Sequence, residues 1–289
     1  MRYAFIAAHQ ENWPVSVQCE VLEVSRSGFY DYVSRQAHPT IDAEAVTLLA
    51  HVKAIAAKTP SSYGSRRMAR ALQEEGFTVG RAKARRLMVE AGVSVQRAKR
   101  RGPVTTDSRH GYNIAPNLLA RQFDVDQPDR AWVGDMTYVW TAEGWLYVST
   151  LLDLYSRKVV GWAMRSRIDT ELAKDALQMA LGRRNPSAGL IHPTDRGSQY
   201  ASHAYQDLLK KHEMICSMSG KGECLDNAVA ERFFGSLKRE WTSHRYYETR
   251  QEARDDIIEY IEMFYNSTRK HSYLGYVSPN EYEELDLVA

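Results

Sequence analysis

The spacing of apolar residues divides the chain into a helical first hundred residues and a longer region that mixes strands with helices. In the first part, apolar side chains recur at the three- and four-residue intervals of amphipathic helices. The predicted helices cover residues 15–23, the segment that follows the candidate cap Ser25, residues 42–57, a segment that Gly64 opens, and residues 79–92. These pairs of helices joined by tight turns predict two helix-turn-helix units, although a helical hairpin without DNA-binding function has the same pattern.

After Gln127 the pattern changes to runs rich in β-branched and aromatic residues. Three of these runs predict strands, at residues 132–140, 145–152 and 158–164, with a hairpin turn between the last two. The elements predicted next are a helix over 170–181 capped by Asp169 and ended by Gly182, a strand over 190–192, a helix over 202–211, a strand over 214–218, and a helix from the cap Asp226 to about Trp241. This order predicts an α/β domain with a mixed sheet.

The closing segment predicts one more helix. Thr249 and Glu252 have the spacing of a capping box for a helix over 250–265, and we expect an irregular tail after it. Together the elements predict a helix-turn-helix over 1–38, a second helix-turn-helix over 39–100, a linker over 101–124, an α/β core over 125–245, and a C-terminal helix and tail over 246–289.

Composition narrows the class of protein. With 289 residues, 44% hydrophobic and 26% charged, the chain is typical of a globular protein with more than one domain. It has no apolar run long enough for a transmembrane helix and no signal-peptide pattern, so we expect it in the cytoplasm. The three cysteines form no CxxC pair, and His203, His212, Cys216 and Cys224 have the spacing of no common zinc finger, so neither a disulfide framework nor a structural zinc site is expected.

Positive charge is concentrated in one segment. The net charge of the whole chain is +2, but residues 81–101 carry eight basic side chains against the single acid Glu90, which leaves −5 for the rest. A block of +7 suits the phosphate backbone of DNA, although a solvated helix face and a basic linker would have the same composition. The residues expected to contact DNA in this region are Arg66, Arg67, Arg81, Arg85 and Arg86.

Three carboxylates stand where a structural core does not require them. Asp135 lies in the middle of the predicted strand WVGDMTYVW, where Asp is disfavoured. Asp195 follows the short strand LIH at its carboxyl end, where α/β sheets gather their functional groups. An ion pair at a sheet edge would also explain Asp135, and a simple turn would explain Asp195.

Glu231 lies at the border of the apolar stripe of the helix DNAVAERFFGSLKREW. Asn227 and Lys238 lie on the same polar strip and are expected to contact DNA, whereas Arg232, Arg239 and Glu240 point elsewhere and are expected to be ordinary surface charges. Three carboxylates from a strand, a strand end and a helix can converge, and such oxygen ligands suit Mg²⁺ or Mn²⁺. Two ions about 4 Å apart can activate an attacking oxygen and stabilise the leaving oxygen of a phosphodiester.

The segments GDMTY, TDRGSQY and DNAVAERFFGSLKREW resemble the three catalytic blocks of DDE transposases with a core of retroviral-integrase type. Thirty-five residues separate Asp195 from Glu231, which is the interval of that family. The segments LLDLYSRKVVGW, FYNSTRKHSYLGYVSPNEYE and SSYGSRRMARALQEEGFTVGRAKARRLMVEAGV resemble the OrfB proteins of bacterial insertion sequences. The resemblance covers nearly the whole chain.

The resemblance implies a ribonuclease H-like core in which Asp135, Asp195 and Glu231 hold two Mg²⁺ ions, with Mn²⁺ as a substitute. It implies cleavage of DNA at the 3′ ends of the element and transfer of the freed strand to a target, with Lys238 in contact with the element's end. Asp153 also occurs in the family pattern, but the hairpin turn explains it. A bacterial cytoplasmic location, at the nucleoid when bound to DNA, follows from the same resemblance.

Two other functions fit the sequence less well. The chain could repress or titrate element ends without chemistry, or it could be a ribonuclease H-like nuclease that cuts without joining. The joining of two ends favours a homo-oligomer of at least two subunits. In many such elements the active protein is a fusion with an upstream OrfA, whose coiled coil has no counterpart here, which leaves two alternatives: a chain that acts alone, or one that acts with an OrfA partner or fusion.

Overall fold

The computed structural model describes residues 1–37, 42–59, 62–95, 112–119, 123–218 and 227–287. The predicted linker therefore lies mostly outside the described residues, as do Arg97, Lys99, Arg100 and Arg101 of the basic segment and the predicted cap Asp226. The chain forms two compact units, Met1–Lys53 and Ala54–Ala289. None of the described helices combines the length and the apolar character that a membrane span needs.

The first unit contains short helices around a small core. Helices α1 (Arg2–Ala8), α2 (Val15–Val21) and α3 (Arg26–Ala37) enclose Ile6, Cys19 and Phe29. The Ser25 hydroxyl accepts a hydrogen bond from the backbone N–H of Gly28 at 3.1 Å, which confirms the predicted cap. The sequence pattern predicts α2 and α3 but does not single out α1. Helix α4 (Ala43–Lys58) begins in this unit and ends in the second.

A second helix pair follows in the larger unit. Helices α5 (Ser65–Glu74) and α6 (Arg81–Glu90) pack through buried Met68, Leu72, Leu87 and Met88. The turn between them passes through Gly76, whose φ of +92° is one that only glycine adopts without strain. The predicted helix-turn-helix geometry of two short helices and a tight turn is confirmed at this place.

The core sheet is mixed, as predicted. Strands β1 (Trp132–Thr141), β2 (Gly144–Asp153) and β3 (Val159–Arg165) are antiparallel neighbours. Strands β4 (Ile191–Thr194) and β5 (Ile215–Met218) pair in parallel. A parallel bridge between Ala131 and Ile191 places β4 beside the beginning of β1. The sheet order therefore brings the middle of β1 close to the carboxyl end of β4.

Helices cover this sheet. They are α7 (Thr170–Arg184), α8 (Ser198–Ala201), α9 (His203–Lys211) and α10 (Ala228–Glu240). Asp169 caps α7, since its carboxylate accepts from the Leu172 N–H at 2.9 Å. The predicted end at Gly182 is wrong: the helix continues to Arg184 and ends at Asn185, which adopts a left-handed φ of 44°. A single glycine lowers helix stability only modestly, so it does not by itself end a helix that is packed on a sheet.

The C-terminal region is more regular than the sequence suggests. Helix α11 (Arg250–Glu259) has the predicted capping box of Thr249 and Glu252 and continues into a π-helix, Tyr260–Asn266. The expectation of an irregular tail is wrong, because Ser278 and Glu281 form a second capping box that starts α12 (Pro279–Asp286). The Asn266 side chain exchanges two hydrogen bonds with the backbone of Val159 and so occupies the outer edge of β3.

Glu240 contradicts the expectation of a surface charge. Only 4% of the residue is exposed, and its two carboxylate oxygens each accept a 2.7 Å hydrogen bond from the guanidinium of Arg269. The Ser62 hydroxyl donates a further bond at 3.0 Å. The bonds from Arg269 outweigh burial and hold the pKa of Glu240 below its usual value, even though burial alone would raise it. This ion pair fixes the end of α10 to the closing segment of the chain.

Candidate active site

Asp135 occupies the middle of β1, opposite Thr150 of β2. It is half-buried, and its Oδ1 accepts a hydrogen bond of 2.8 Å from the backbone N–H of Met136. Burial raises the pKa of Asp135 to about 8, and the charges of Asp195 and Glu231 add to this increase. The carboxylates from β1, from the end of β4 and from α10 therefore lie close enough to act on one another.

Asp195 follows β4 directly and is held by the turn after it. Its Oδ1 accepts a 2.9 Å hydrogen bond from the backbone N–H of Gly197, an arrangement typical of an Asp that begins a turn. A Cβ at position 197 would stand 2.9 Å from that oxygen, closer than side-chain atoms pack. A side chain at this position of the TDRGSQY segment would therefore force the Asp195 carboxylate to shift.

Glu231 lies on the first turn of α10 and is exposed. The N-cap of this helix is Asn227, whose side chain makes no capping bond and instead donates a hydrogen bond to Asp135. This contact opposes the rise in the pKa of Asp135, because it stabilises the charged carboxylate. Asn227 thus links the start of the helix that carries Glu231 to the strand that carries Asp135.

Lys238 lies two helical turns further along α10, on the side that faces β1. Its Nζ is 4.4 Å from the centre of the Tyr138 ring, and the lysine is half-buried. Burial lowers the pKa of Lys238, while the nearby charge of Asp135 acts in the opposite direction. The strip of carboxylate, amide and ammonium that the helical spacing predicts is therefore present and turned towards Asp135.

The chemistry of these donors fits a divalent cation of the magnesium type. The charges of neighbouring carboxylates repel one another, and a cation that binds between them relieves this repulsion. The Oδ1 atom of Asn227 is buried and has no hydrogen-bond donor among the described residues, and a hydrated cation would supply one. Within the described ranges, no three His, Cys, Asp or Glu side chains are grouped closely enough to hold an ion, so the metal ligands stay a prediction.

A glycine and a histidine that the sequence analysis did not single out bring the two aspartates together. A Cβ on Gly134 would stand 2.9 Å from the Cε1 atom of His192, so only glycine lets β1 approach β4 at this point. His192 is fully buried; its Nδ1 lies 2.6 Å from the Trp132 carbonyl oxygen and its Nε2 lies 2.7 Å from the Tyr205 hydroxyl. Since a carbonyl only accepts, Nδ1 donates to Trp132 and Nε2 accepts from Tyr205.

This histidine predicts a measurable pH dependence of stability. Burial lowers the pKa of His192 from 6.5 to about 4, so the folded protein holds it neutral. Its contribution to stability is complete above pH 6.5 and is lost as the pH falls towards 4. Between pH 7.5 and pH 5 the wild type should lose about 2 kcal/mol more unfolding free energy than His192→Asn, as measured by urea denaturation. The matched control is the exposed His212, whose replacement by asparagine should leave the wild-type pH dependence in place; equal pH dependence in all three proteins would contradict the prediction.

The predicted DNA-binding arginines occupy two different environments. Arg66 of α5 and Arg81, Arg85 and Arg86 of α6 are exposed. Arg67 is half-buried: it lies 3.6 Å from Glu240 and donates a 3.3 Å bond to the carbonyl of Ser62. The exposed group therefore forms a basic face on the helix pair, while Arg67 is turned towards α10.

The cysteines supply no second candidate metal centre within the described residues. Cys19 is buried and Cys216 is partly buried, and both are free thiols. Burial raises the pKa of Cys216, which keeps it protonated. Cys224, the fourth member of the zinc set considered from the sequence, lies outside the described residues.

Comparison with known families covers most of the chain. An integrase core domain model matches residues 125–224, and a second integrase core domain model matches residues 231–287. An HTH-like domain model matches residues 43–101. The first match includes β1 and β4 with Asp135 and Asp195, and the second begins at Glu231 of α10.

Curated relatives extend over nearly the full length. The chain is 42% identical over 266 residues to the insertion element IS600 uncharacterized 31 kDa protein of Shigella sonnei, covering 92% of this chain and 97% of that protein. It is 37% identical over 293 residues to the transposase InsF for insertion sequence IS3A of Escherichia coli (strain K12), covering 99% of this chain and 100% of that protein.

Solved structures with similarity include two retroviral integrase cores. The HTLV-2 integrase catalytic core domain in complex with magnesium matches with 15% identity and a TM-score of 0.42, over 53% of this chain and 95% of that one. The catalytic core domain of BIV integrase matches with 16% identity and a TM-score of 0.41, over 55% of this chain and 97% of that one.

Proposed function

The chain belongs to the family of IS3 transposases with an integrase core, and on that premise we propose that Asp135, Asp195 and Glu231 hold the divalent metal of its DNA cleavage and strand-transfer site. The observation that supports this most is electrostatic: Asp195 and Glu231, which come from different elements, lie near enough to Asp135 for their charges to help raise its pKa. Because neighbouring carboxylates disfavour one another's charge, a cation bound between the three would stabilise the arrangement.

The chain's own groups position these carboxylates for phosphoryl transfer. Asn227 orients Asp135, the Gly197 N–H orients Asp195, and His192 holds the two strands together. Two Mg²⁺ ions bound there, with Mn²⁺ as a substitute, would activate the attacking oxygen and stabilise the leaving one. Lys238 provides positive charge beside the site, where it can neutralise a DNA phosphate next to the scissile bond.

Metal-dependent nicking tests this function against the regulator alternative. The full chain, incubated with a duplex that carries the element's terminal sequence, should release a 3′ end in Mg²⁺ or Mn²⁺ and not in EDTA. A DNA-binding regulator without chemistry would bind the same duplex and leave it intact in every metal. Binding without nicking would therefore reject the catalytic assignment.

The basic face on α6 gives a second prediction. Exchange of Arg85 and Arg86 for glutamine should weaken binding to element-end DNA and reduce the slope of log K against log salt by about two, because each lost phosphate contact removes nearly one unit. Fluorescence anisotropy at several salt concentrations measures this slope. The matched control is the exposed pair Lys210 and Lys211 of α9, exchanged in the same way. If the slope equalled that of the wild type and the control, the basic face would be an ordinary solvated surface that does not contact DNA.

The assembly and the domain plan belong to the same proposal. Joining two element ends requires at least two catalytic cores, so we propose a homo-oligomer of two or more subunits on paired ends, with an OrfA partner or fusion providing further contacts. We also propose that the five segments predicted from the sequence, with boundaries at 38, 100, 124 and 245, are the domains of the protein. Tyr63 donates a hydrogen bond to the Thr268 carbonyl and accepts one from the Lys270 N–H, so the segment between α4 and α5 packs on the C-terminal region.

A further inference from the structure

A cavity of about 570 Å³ lies against α10, on a different side of the helix from the candidate active site. Arg232, Ser236 and Arg239 of α10 line it. At 100° per residue these positions lie about a third of a turn from Glu231 and Lys238. The volume is within the range of roughly 300–1,000 Å³ that ligand sites occupy. The helix α10 therefore carries Glu231 on one side and lines this cavity with an adjacent side.

The cavity is strongly basic. Five arginines line it, and they come from four separate parts of the chain: Arg67, Arg157, Arg232, Arg239 and Arg269. Asp124 is the carboxylate of the lining, and Glu240 lies behind it in its ion pair with Arg269. Five guanidinium groups against these two carboxylates leave a surplus of three positive charges. Such a surplus of positive charge in a concave site attracts an anion, because the cavity walls focus the electric field.

Arg157 is the most informative member of this group. It is buried, and its guanidinium lies 3.9 Å from the centre of the Tyr273 ring while its Nη2 donates to the Phe123 carbonyl at 3.1 Å. Its Nη1 is buried too and makes no hydrogen bond with any of the described residues. The backbone of Arg157 has a left-handed φ of 61°, which a non-glycine residue adopts only where its surroundings enforce it. A buried arginine at the cavity wall with an unsatisfied donor can bond a ligand there after a small shift of its side chain.

The neighbouring histidine reports the same positive potential. His271 lines the cavity and is buried. Burial lowers its pKa well below the usual value, and the charges of Arg269, Arg67 and Arg157 lower it further. The imidazole is therefore neutral, so the surplus charge belongs to the guanidinium groups alone. These residues also account for two segments that the carboxylate site leaves without a role, SRKVVGW around Arg157 and STRKHSYLGY around His271.

We propose that this cavity binds a backbone phosphate of DNA, with Arg157 and Arg232 as donors, outside the site of chemistry. Arginine forks match the oxygens of a phosphate, and Arg157 has an unused donor for one. Arg232 and Arg239 are exposed at the cavity's edge, and within the described part of the chain their shortest ion pair is the 3.9 Å contact of Arg239 with Glu240. A polyanion that crosses α10 from Lys238 can reach this edge, which favours DNA over a small free anion. The identity of the ligand as DNA rests on the proposed function.

The test uses Arg232→Gln in the full chain, because this exposed side chain can be changed without disturbing the core. Binding to an element-end duplex is measured by anisotropy in EDTA, where no cleavage occurs, so the result is independent of whether the carboxylates catalyse. The expected result is affinity lower by about tenfold and a salt slope lower by about one. The matched control is Arg254→Gln on α11, whose affinity and slope should equal those of the wild type. A wild-type affinity and slope for Arg232→Gln would overturn the proposal.

A second measurement locates the phosphate. A series of duplexes is made in which one phosphate at a time is replaced by a neutral methylphosphonate. At one linkage the replacement should lower the affinity of the wild type but should not lower the affinity of Arg232→Gln any further. Arg157→Lys, which keeps the charge but not the fork, should show reduced sensitivity at the same linkage. If every methylphosphonate lowered the affinity of Arg232→Gln by the same factor as that of the wild type, the proposal would be overturned. A different result would also overturn the proposal. If inorganic phosphate or a nucleoside monophosphate raised the melting temperature of the wild type but not of Arg232→Gln, and the variant bound DNA like the wild type, the cavity would bind a free anion instead.

Discussion

Replacement of Asp135 by asparagine is expected to lower the rates of DNA cleavage and joining by about 10³-fold or more. Asp135 is the carboxylate on which the charges of both Asp195 and Glu231 act, so it stands at the centre of the proposed metal site. Removing one anionic ligand weakens the stabilisation that the metal gives to the transition state, which is worth several kcal/mol. An increase of about 4 kcal/mol in the activation free energy corresponds to the expected 10³-fold decrease in rate. Single-turnover assays on element-end DNA measure it.

The same variant should keep its fold and its affinity for DNA. A neutral amide is easier to bury than a carboxylate flanked by two others, so Asp135→Asn is not expected to lower the unfolding free energy. The exposed Asp207 of α9 provides the matched control, and Asp207→Asn should cleave at the wild-type rate. Retention of full cleavage by Asp135→Asn, with the duplex bound normally, would remove Asp135 from the metal site.

Exchange of Glu240 for glutamine is expected to destabilise the protein by about 3 kcal/mol. Glu240 and Arg269 are each 4% exposed, and two hydrogen bonds of 2.7 Å join them. Without the carboxylate, the guanidinium of Arg269 stays buried with no compensating charge, and the loss of one partner of a buried pair costs roughly 3–5 kcal/mol. Urea denaturation at pH 7.5 measures the difference. Glutamine keeps the shape of the side chain, so the effect reports the charge.

The pH dependence separates this ion pair from packing. The pKa of Glu240 is lowered in the folded protein, so its contribution is present above the unfolded value of 4.5 and is lost as the pH falls below it. The gap between wild type and Glu240→Gln should therefore close in acid. Glu259→Gln, at an exposed position on α11, should change the unfolding free energy by less than about 0.5 kcal/mol. A gap that is the same at pH 4 and pH 7.5 would indicate lost packing instead.

The strands were predictable because their hydrophobic patterns are local. The runs that contain Trp132, Trp145 and Trp162 all form strands, and the mixed order of helices and strands gives the mixed sheet. Two local signals were misjudged. Gly182 does not end α7, since packing on the sheet outweighs the cost of one glycine. The capping box of Ser278 and Glu281 was already visible in SPNEYE and could have predicted α12.

The candidate site shows where sequence reasoning reaches its limit. Asp135 and Glu231 were visible because each conflicts with its local element, one as an acid in a strand and one as an acid beside an apolar stripe. The roles of Gly134 and His192 depend on the approach of β1 to β4, which no local pattern reveals. Glu240 is on the polar side of its helix by spacing and is buried only because Arg269, 29 residues later, folds back onto it. Such contacts belong to the tertiary structure.

The joining of DNA strands tests the central claim most directly. The full chain is incubated with Mg²⁺, a labelled duplex that ends in the element's terminal sequence, and a supercoiled target plasmid, and the products are separated on a denaturing gel. The account predicts labelled strands covalently joined to plasmid DNA, and the loss of these products in EDTA and in Asp135→Asn. Nicked duplex without any joined strand, or joined strands that persist in Asp135→Asn, would contradict it.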